Sequence, residues 1–293
     1  MGPLRKLAAF LVVEILLSPY SIGSAEPQSA SGPSPDTTAQ TKSLFAQAAV
    51  QVLEREFATS EVSFLLLDAR TGVFLSSHWD DPEKRIPLGS LVKPFTALAY
   101  AEEHDFDYPV HFCKGEASGC WQRRGHGRLG IVSAIAHSCN SYFRVLAANL
   151  SGEQMNPTAR RFGLEAPDSD LSGPALMGLG DRWLISPRHM ARAYLELYRR
   201  RNQPGVRELL AGMGQSTWQG TGAGVGRALK HSDALVKTGT APCTHPHPAP
   251  GDGFVVALVP AGQPELLLMI RVHGVPGARA SITAGRILSR LEE

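Results

Sequence analysis

The fold is decided by the stretch Val62-Ser63-Phe64-Leu65-Leu66-Leu67, an apolar run that only Ser63 interrupts. A short run of this kind, bounded by turn residues, is typical of a buried β-strand. The turn sequence Asp68-Ala69-Arg70-Thr71-Gly72 follows it and leads into Val73-Phe74-Leu75. The order strand, turn, strand predicts a β-hairpin near the start of the domain.

The other end of the chain carries a second strand pair. Apolar runs at Phe254 to Val259 and Leu266 to Val272 predict two strands, and Ala278 to Leu291 predicts a closing helix. Ala234 to Thr240 is an apolar-to-small run that predicts one more strand, whereas Trp79 to Leu229 is mainly helical in pattern. We therefore predict an α+β fold, in which both termini form a central antiparallel sheet that helices flank and an all-helical insertion interrupts.

The bulk composition is that of a globular protein. The chain has 293 residues, of which 43% are hydrophobic and 19% charged, enough to bury a sizeable core. The formal net charge is only +2, and the basic clusters Arg123-Arg124 and Arg199-Arg200-Arg201 are short. Such clusters are typical of solvated helix ends, so we expect no nucleic-acid partner.

The first 25 residues have the pattern of an export signal. Arg5 and Lys6 precede an apolar run from Leu7 to Leu17, and Gly23-Ser24-Ala25 offers small residues for cleavage. An uncleaved signal that tethers the protein to the membrane is the alternative. Residues 26–41 are rich in proline and small polar residues, which predicts a disordered tether, and residues 42–293 are expected to form the folded domain. Lys42 to Phe57 opens this domain with an amphipathic helix, and we expect a periplasmic or other extracytoplasmic location.

Export makes disulfide bonds possible. The chain has four cysteines, and Cys113 and Cys120 are the preferred pair because two glycines between them permit a tight loop. Cys139 and Cys243 either pair with each other across a cleft or stay free, and the sequence does not separate these cases.

The motif Ser90-Leu91-Val92-Lys93 supplies a nucleophile and a base. Ser90 lies at a predicted helix start, and residues three apart share a helix face, which places Lys93 over Ser90. A serine hydroxyl needs a nearby base to become nucleophilic, and a lysine is such a base only when burial or another cation lowers its pKa. Lys237 is a suitable second cation.

Two later motifs supply a proton relay and a carboxylate site. In Ser138-Cys139-Asn140, the hydroxyl can pass a proton to a leaving nitrogen and the amide can hold a substrate amide. In Lys237-Thr238-Gly239-Thr240, two hydroxyls and an ammonium suit a terminal carboxylate, and Gly239 lets a substrate backbone approach the strand edge. The three motifs in this order describe an acyl-transfer site.

These motifs resemble those of the transpeptidase domain of penicillin-binding proteins, within the wider serine β-lactamase-like superfamily. The resemblance extends to Pro87-Leu88-Gly89 before the first motif, to Gly125-His126-Gly127 before the second, and to Met177-Gly178-Leu179-Gly180 with Ile185-Ser186-Pro187 between the second and third. It covers roughly Val62 to Leu291. It implies a partner peptide that ends in D-alanyl-D-alanine, binding of β-lactams, and a cell-wall polymerase as a further partner. The sequence departs from the larger family members, since we find no glycosyltransferase region in it, and we expect a lone catalytic domain.

The resemblance also implies a role for each residue. Ser90 is acylated, Lys93 is the general base, Ser138 relays the proton to the leaving amine, and Lys237 tunes Ser138. Asn140, Thr238, Gly239 and Thr240 bind substrate, with the backbone N–H groups of Ser90 and Thr240 as the oxyanion hole. No cofactor and no metal ligand is expected. Cys243-Thr244-His245-Pro246-His247 invites a metal interpretation, but its spacing fits no compact zinc module and we expect a loop at the cleft rim.

Two other functions compete with an exported serine D,D-peptidase, which is either a transpeptidase or a carboxypeptidase. A serine β-lactamase of class A needs a deacylating glutamate, and neither Glu153 nor Glu165 has that motif; we expect Glu165 to be a surface residue. A class D-like route through a modified lysine stays open. The third candidate is a non-turnover β-lactam or muropeptide sensor, or a scaffold that keeps the pocket without the chemistry.

Overall fold

The structure is a computed structural model, and it describes residues 47–244 and 247–292. The predicted signal peptide (1–25) and tether (26–41) lie outside the described residues. The predicted helix at Lys42 to Phe57 is described from residue 47 and continues to residue 57; we label it α1. No helix in the described residues is both long enough and apolar enough to cross a bilayer.

A five-stranded antiparallel sheet forms the centre of the domain and confirms the predicted fold class. Its strands are β1 (Val62–Asp68), β2 (Phe74–His78), β7 (Leu235–Ala241), β8 (Asp252–Val259) and β9 (Leu266–Val272). Their spatial order is β2-β1-β9-β8-β7, so the first hairpin pairs directly with the last strand of the chain. Phe64 lies opposite Ile270, and Thr240 lies opposite Gly253. Both ends of the chain therefore build one sheet.

Strands β1, β8 and β9 are mainly apolar because the centre of the sheet is buried on both faces. Phe64 and Leu66 pack into one core with α1 and the C-terminal helix, whereas Leu65 and Leu67 pack into a second core under the helical insertion. Successive side chains of a strand point to opposite faces, so an unbroken apolar run is what two cores require. Each fully buried aliphatic side chain contributes about 1.5–3 kcal/mol to stability.

The insertion between β2 and β7 is mainly helical and also holds two short antiparallel strand pairs. These pairs are β3 with β6 and β4 with β5. The strands are β3 (Ile86–Pro87), β4 (His111–Cys113), β5 (Gly127–Leu129) and β6 (Leu184–Ile185). The helices are α2 (Lys93–Glu102), α3 (Ile131–Ala136), α4 (Asn140–Ala147), α5 (Gly152–Phe162), α6 (Pro187–Arg199), α7 (Val206–Gln219), α8 (Ala223–Ala228) and the C-terminal α9 (Gly277–Glu292).

A short 3₁₀-helix (Gly89–Val92) leads into α2 and packs tightly on β7. Gly89 has a φ of +57°, and a Cβ on it would overlap the backbone oxygen of Thr240. A Cβ on Gly239 would lie 2.5 Å from the backbone oxygen of Leu88 and 3.1 Å from Leu91 Cγ. Gly239 is therefore required by the protein's own packing, a reason that the sequence analysis did not give. The contact fixes the 3₁₀-helix against the strand edge.

We expect Gly239→Ala to separate the 3₁₀-helix from β7, because its methyl group has no room beside Leu88 and Leu91. The expected cost is about 1–3 kcal/mol in the free energy of unfolding, as for other overpacked sites. Denaturant unfolding measures it. Gly214→Ala is the matched control, since that Cβ meets nothing closer than 3.7 Å and the helix α7 favours alanine. Equal stability of the two variants would contradict the packing argument.

Candidate active site

The first motif residue, Ser90, faces a cavity of about 430 Å³. It lies in the 3₁₀-helix just before α2 and is half-buried. The motif residues that share the cavity wall with it are Ser138, Asn140, Thr238, Gly239 and Thr240. One cavity therefore brings together residues of all three motifs, which lie up to 150 positions apart from Ser90 to Thr240.

Lys93 is fully buried and points at the second motif. Its Nζ donates hydrogen bonds to the backbone oxygen of Ser138 at 2.9 Å and to Asn140 Oδ1 at 2.6 Å, with Ser138 Oγ at 3.4 Å. Among the described residues, Ser90 Oγ has no hydrogen bond to either lysine. Hydrogen bonds of catalytic groups are often long before substrate binds, so this geometry is compatible with proton transfer from Ser90 to Lys93.

Lys237 approaches the same hydroxyl from the opposite element. It is fully buried on β7, and its Nζ donates to Ser138 Oγ at 3.0 Å and to the backbone oxygen of Thr238 at 2.6 Å. Ser138 Oγ thus lies between two amines, one from α2 and one from β7. This is the arrangement of a hydroxyl that exchanges protons with its neighbours.

Burial is the largest cause that lowers the pKa of both amines. The pKa of Lys93 is lowered to about 7: burial is the largest cause, the charge of Arg144 also lowers it, and the thiols of Cys139 and Cys120 act in the opposite direction. Burial and the charge of Lys93 hold the pKa of Lys237 well below its usual range. Lys237 was expected to be the cation that acts on Lys93, but the repulsion between the two amines lowers the pKa of Lys237, and burial is the main cause for Lys93.

The backbone of Ser138 is strained into the left-handed region, with a φ of +49°. Such a conformation in a residue other than glycine costs about 1–3 kcal/mol and is common at functional sites. Trp121 Nε1 donates to the backbone oxygens of His137 at 3.2 Å and Ser138 at 3.3 Å. Together with Lys93, Trp121 holds the peptide after Ser138 in place.

The rim of the cavity contains residues that the sequence analysis missed. Thr238 Oγ1 donates to Thr221 Oγ1 at 2.6 Å, and Thr240 Oγ1 accepts from the backbone N–H of Gly277 at 2.9 Å. The missed lining residues are Trp121, Leu179, Thr221, Pro276 and Ala278. They come from distant loops, and no motif marks them; only the Gly178-Leu179 segment was part of the stated resemblance.

The expectation that Glu165 is a surface residue was wrong. Its side chain is 8% exposed, accepts from the backbone N–H of Ser186 at 3.1 Å, and lies 2.9 Å from His189 Nδ1. These contacts join the loop after α5 to the start of α6. Glu165 is not among the residues that line the cavity.

The preferred Cys113–Cys120 disulfide is also wrong, because both residues carry free thiols. Cys120 Sγ lies 3.8 Å from Cys139 Sγ, and the thiols of Cys113 and Cys120 each lie 3.6 Å from His126 Nδ1. The β4–β5 pair brings these residues to the turn before α4. We call Cys113, Cys120, His126 and Cys139 the thiol cluster.

The thiol cluster has the donor set of a zinc site. One ligand atom from each residue lies within 4.8 Å of all the others, and three of the four residues are buried. The hydrogen bond with Cys139 lowers the pKa of Cys120, while the contact with Cys120 and burial raise the pKa of Cys139. Three thiols and one imidazole match the Cys₃His set of structural zinc. The sequence analysis assigned no metal ligand here.

The fold and the site together define a serine–lysine pocket at the edge of an antiparallel sheet. The sequence matches the family model of the penicillin-binding protein transpeptidase domain over residues 62–291. The chain therefore belongs to the penicillin-binding protein transpeptidase domain family, as the sequence analysis predicted.

A curated relative and several solved structures are similar to this chain. The peptidoglycan D,D-transpeptidase MrdA of Acinetobacter baumannii is 33% identical over 86 residues, which cover 26% of this chain and 13% of the relative. The match thus spans only a small part of that relative's length.

Two penicillin-binding proteins with solved structures show the likeness of fold. Pseudomonas aeruginosa PBP2, solved in complex with WCK 5153, is 17% identical with a TM-score of 0.65, over 86% of this chain and 73% of that one. Helicobacter pylori PBP2, solved in complex with MreC, is 18% identical with a TM-score of 0.67, over 85% of this chain and 62% of that one.

We expect the rate of acylation by a β-lactam to rise with pH through about 7 and then to level off, because only neutral Lys93 accepts a proton and its pKa is about 7. Below that pH the rate falls about tenfold per unit. Stopped-flow acylation with a β-lactam whose carboxylate stays ionised throughout measures the profile. A rate that is flat across pH 7, or that falls as pH rises, would contradict the role of Lys93 as a base.

Proposed function

We propose that this chain is an exported serine D,D-transpeptidase of peptidoglycan, which forms an acyl-Ser90 intermediate and binds penicillin. The observation that carries the proposal is the convergence of Lys93 and Lys237 on Ser138 Oγ, beside a cavity that Ser90 also lines. A capping serine with an exposed lysine would not give two fully buried amines around one hydroxyl. Membership in the transpeptidase domain family supports the same reaction class.

Acylation then proceeds in two proton transfers. Ser90 Oγ gives its proton to neutral Lys93 Nζ and attacks the carbonyl carbon of the penultimate D-alanine. The carbonyl oxygen becomes an oxyanion, which the backbone N–H groups of Ser90 and Thr240 stabilise; one such donor is worth about 3 kcal/mol. As the C–N bond breaks, Ser138 Oγ passes a proton to the departing amine and regains one from the adjacent amines, so that Lys93 ends neutral again.

Deacylation needs an acceptor and restores the serine. An amine of a second stem peptide attacks the ester carbonyl and forms the crosslink, or water attacks it and gives the carboxypeptidase product; in both cases Ser90 Oγ recovers its proton. Glu165 is engaged by Ser186 and His189 and is not part of the cavity lining, which disfavours rapid hydrolysis of the class A β-lactamase kind. A slow release of β-lactams is the consequence.

Recognition of the peptide is proposed to rest on the third motif and Asn140. Thr240 is exposed at the strand edge, and its hydroxyl already accepts from Gly277, so its own proton is available to a carboxylate. Thr238 and Thr221 form a hydroxyl pair beside it. Asn140 is half-buried, its Oδ1 is held by Lys93, and its amide N–H₂ is therefore left to face the acyl chain.

The location and partners follow from the substrate. Peptidoglycan is crosslinked outside the cytoplasm, in accord with the export signal that the sequence predicts at residues 1–25. A solved relative, which is 16% identical with a TM-score of 0.61, was studied as part of a peptidoglycan synthase complex that coordinates polymerization and crosslinking. We propose a cell-wall polymerase as a partner of this chain also.

The thiol cluster is proposed to hold a structural zinc ion. Cys139 lies between Ser138 and Asn140, so a zinc ion held there would fix the turn that carries both residues. The ion would take no part in the proton path. Its thiolate ligands would place negative charge near the buried Lys93, which acts to raise the pKa of that amine.

We expect Ser90→Ala to abolish covalent labelling by penicillin, because loss of such a nucleophile commonly lowers the rate by about 10⁴ or more. Lys93→Ala should suppress labelling as well. Intact-mass spectrometry of the full chain detects the adduct, and Ser133→Ala, a serine on α3 outside the cavity lining, is the matched control. An adduct that persists in Ser90→Ala would overturn the assignment.

Mass spectrometry also distinguishes the three candidate functions, which are D,D-peptidase, β-lactamase, and sensor or scaffold. A transpeptidase converts a pentapeptide muropeptide to a crosslinked product with an amine acceptor, whereas a carboxypeptidase releases D-alanine alone. Rapid loss of the penicillin adduct with hydrolysed drug indicates a β-lactamase. Permanent labelling without any turnover of muropeptide indicates a sensor or scaffold.

We expect Cys120→Ala to reduce the zinc content of the purified chain by one equivalent, because it removes one thiolate of the thiol cluster. Metal analysis after purification under reducing conditions measures it, with Ser118→Ala as the neighbouring control. The variant should also melt at a lower temperature. An unchanged zinc content in Cys120→Ala would refute a metal at the thiol cluster.

A further inference from the structure

A second group of side chains of the kinds that bind metal ions lies at the C-terminal end of β7 and is separate from the thiol cluster. Cys243 follows β7 by two residues, Asp252 is the first residue of β8, and His273 directly follows β9. One ligand atom from each lies within 4.8 Å of the other two. Three neighbouring strand ends thus bring a thiol, a carboxylate and an imidazole to one point.

The geometry of the group differs from that of a catalytic triad. His273 Nδ1 lies 2.9 Å from Asp252 Oδ1 and 3.6 Å from Cys243 Sγ. Both neighbours therefore meet the same ring nitrogen. A proton relay needs the acid and the nucleophile on opposite nitrogens of the imidazole. Three side chains with metal-ligating atoms that converge on one point are instead typical of a cation site.

The carboxylate of Asp252 supplies an independent observation. Asp252 is fully buried, and its Oδ1 also accepts from the backbone N–H of Gly274 at 3.3 Å. Its other oxygen, Oδ2, is buried and has no hydrogen-bond partner among the described residues. A buried carboxylate oxygen without a partner is costly, because it has lost its hydrogen bonds to water. No lysine or arginine of the described residues forms an ion pair with it, and a metal ion would satisfy it.

We propose that Cys243, Asp252 and His273 bind a second zinc ion, distinct from the thiol cluster. Thiolate, imidazole and carboxylate are all zinc ligands, and the mixture favours zinc over the harder cations calcium and magnesium. The backbone oxygen of His247 also lies beside the group, 3.7 Å from Cys243 Sγ.

The ion would join two loops at the rim of the cavity. Cys243 and Asp252 bracket the connection between β7 and β8, while His273 precedes the loop that contains Pro276 and leads into α9. Pro276 and Ala278 line the cavity, and Gly277 holds the hydroxyl of Thr240. A metal that joins these two loops restricts the strand edge on which Thr240 lies. Its role is structural and does not require the chemistry proposed for Ser90.

The test is the zinc stoichiometry of the full chain, purified and kept under reducing conditions. We expect Cys243→Ala to carry one equivalent less than the wild-type chain, and Thr244→Ala, its neighbour, to carry as much as the wild type. Asp252→Asn and His273→Gln should each lower the affinity for this zinc ion. The decrease should exceed the roughly 10–100-fold that loss of an outer-shell partner costs. Chelator competition measures the affinity.

Reciprocal variants separate the two sites. Cys120→Ala should lose the zinc ion of the thiol cluster and keep the zinc ion bound by Cys243, Asp252 and His273. When cobalt replaces that remaining ion, the protein should show thiolate charge-transfer absorption. Adding Cys243→Ala should remove this absorption. Penicillin labelling at Ser90 reports that each variant is folded, and its absence in the wild type would count against the proposed function alone. Equal zinc in the wild type and Cys243→Ala, or loss of all zinc in Cys120→Ala, would overturn the second site.

Discussion

Two buried amines that share one hydroxyl are the constraint on which the rest of the site depends. Lys93 and Lys237 are both fully buried, and among the described residues neither forms an ion pair with a carboxylate. An ammonium in such a place is costly, so burial lowers the pKa of both amines, that of Lys93 to about 7. The role proposed for Lys93 as a base depends on this burial. A carboxylate beside Lys93 would stabilise the ammonium, so that the amine would stay protonated at neutral pH and could not accept a proton.

This constraint explains why side chains from three segments that are distant in the sequence must be positioned accurately relative to one another. Lys93 comes from α2, Ser138 from the turn between α3 and α4, and Lys237 from β7. The close contact of the 3₁₀-helix with β7 at Gly239 sets the distance between the first and last of these. A shift of about 1 Å in that contact would move Ser90 relative to Thr240, and the proposed oxyanion hole needs the backbone N–H groups of both residues directed at one oxygen.

The sequence predicted the sheet and the motif residues because both signals are local. Apolar runs such as Val62 to Leu67 give strands directly, and the spacing of Ser90 and Lys93 gives one helix face. Thr221, Trp121 and the thiol cluster depend instead on which loops the fold brings together. Cys113 and Cys120 were assigned to a disulfide because the glycines between them permit a tight loop, and nothing local in the sequence places His126 and Cys139 beside them. Glu165 was misjudged for the same reason, since its partners Ser186 and His189 are more than 20 residues away.

The turn at Ser138 shows how the thiol cluster and the relay depend on each other. A serine disfavours a φ of +49°, so contacts on both sides of Ser138 must offset the strain. On one side, the backbone N–H groups of Ser138 and Cys139 bond to Ile135 and Ala134 at the end of α3. On the other, Cys139 Sγ is held by Cys120 in the thiol cluster. Because Cys139 is anchored while Ser138 is strained, the hydroxyl is directed at both amines, and a loosened cluster would let the turn relax away from them.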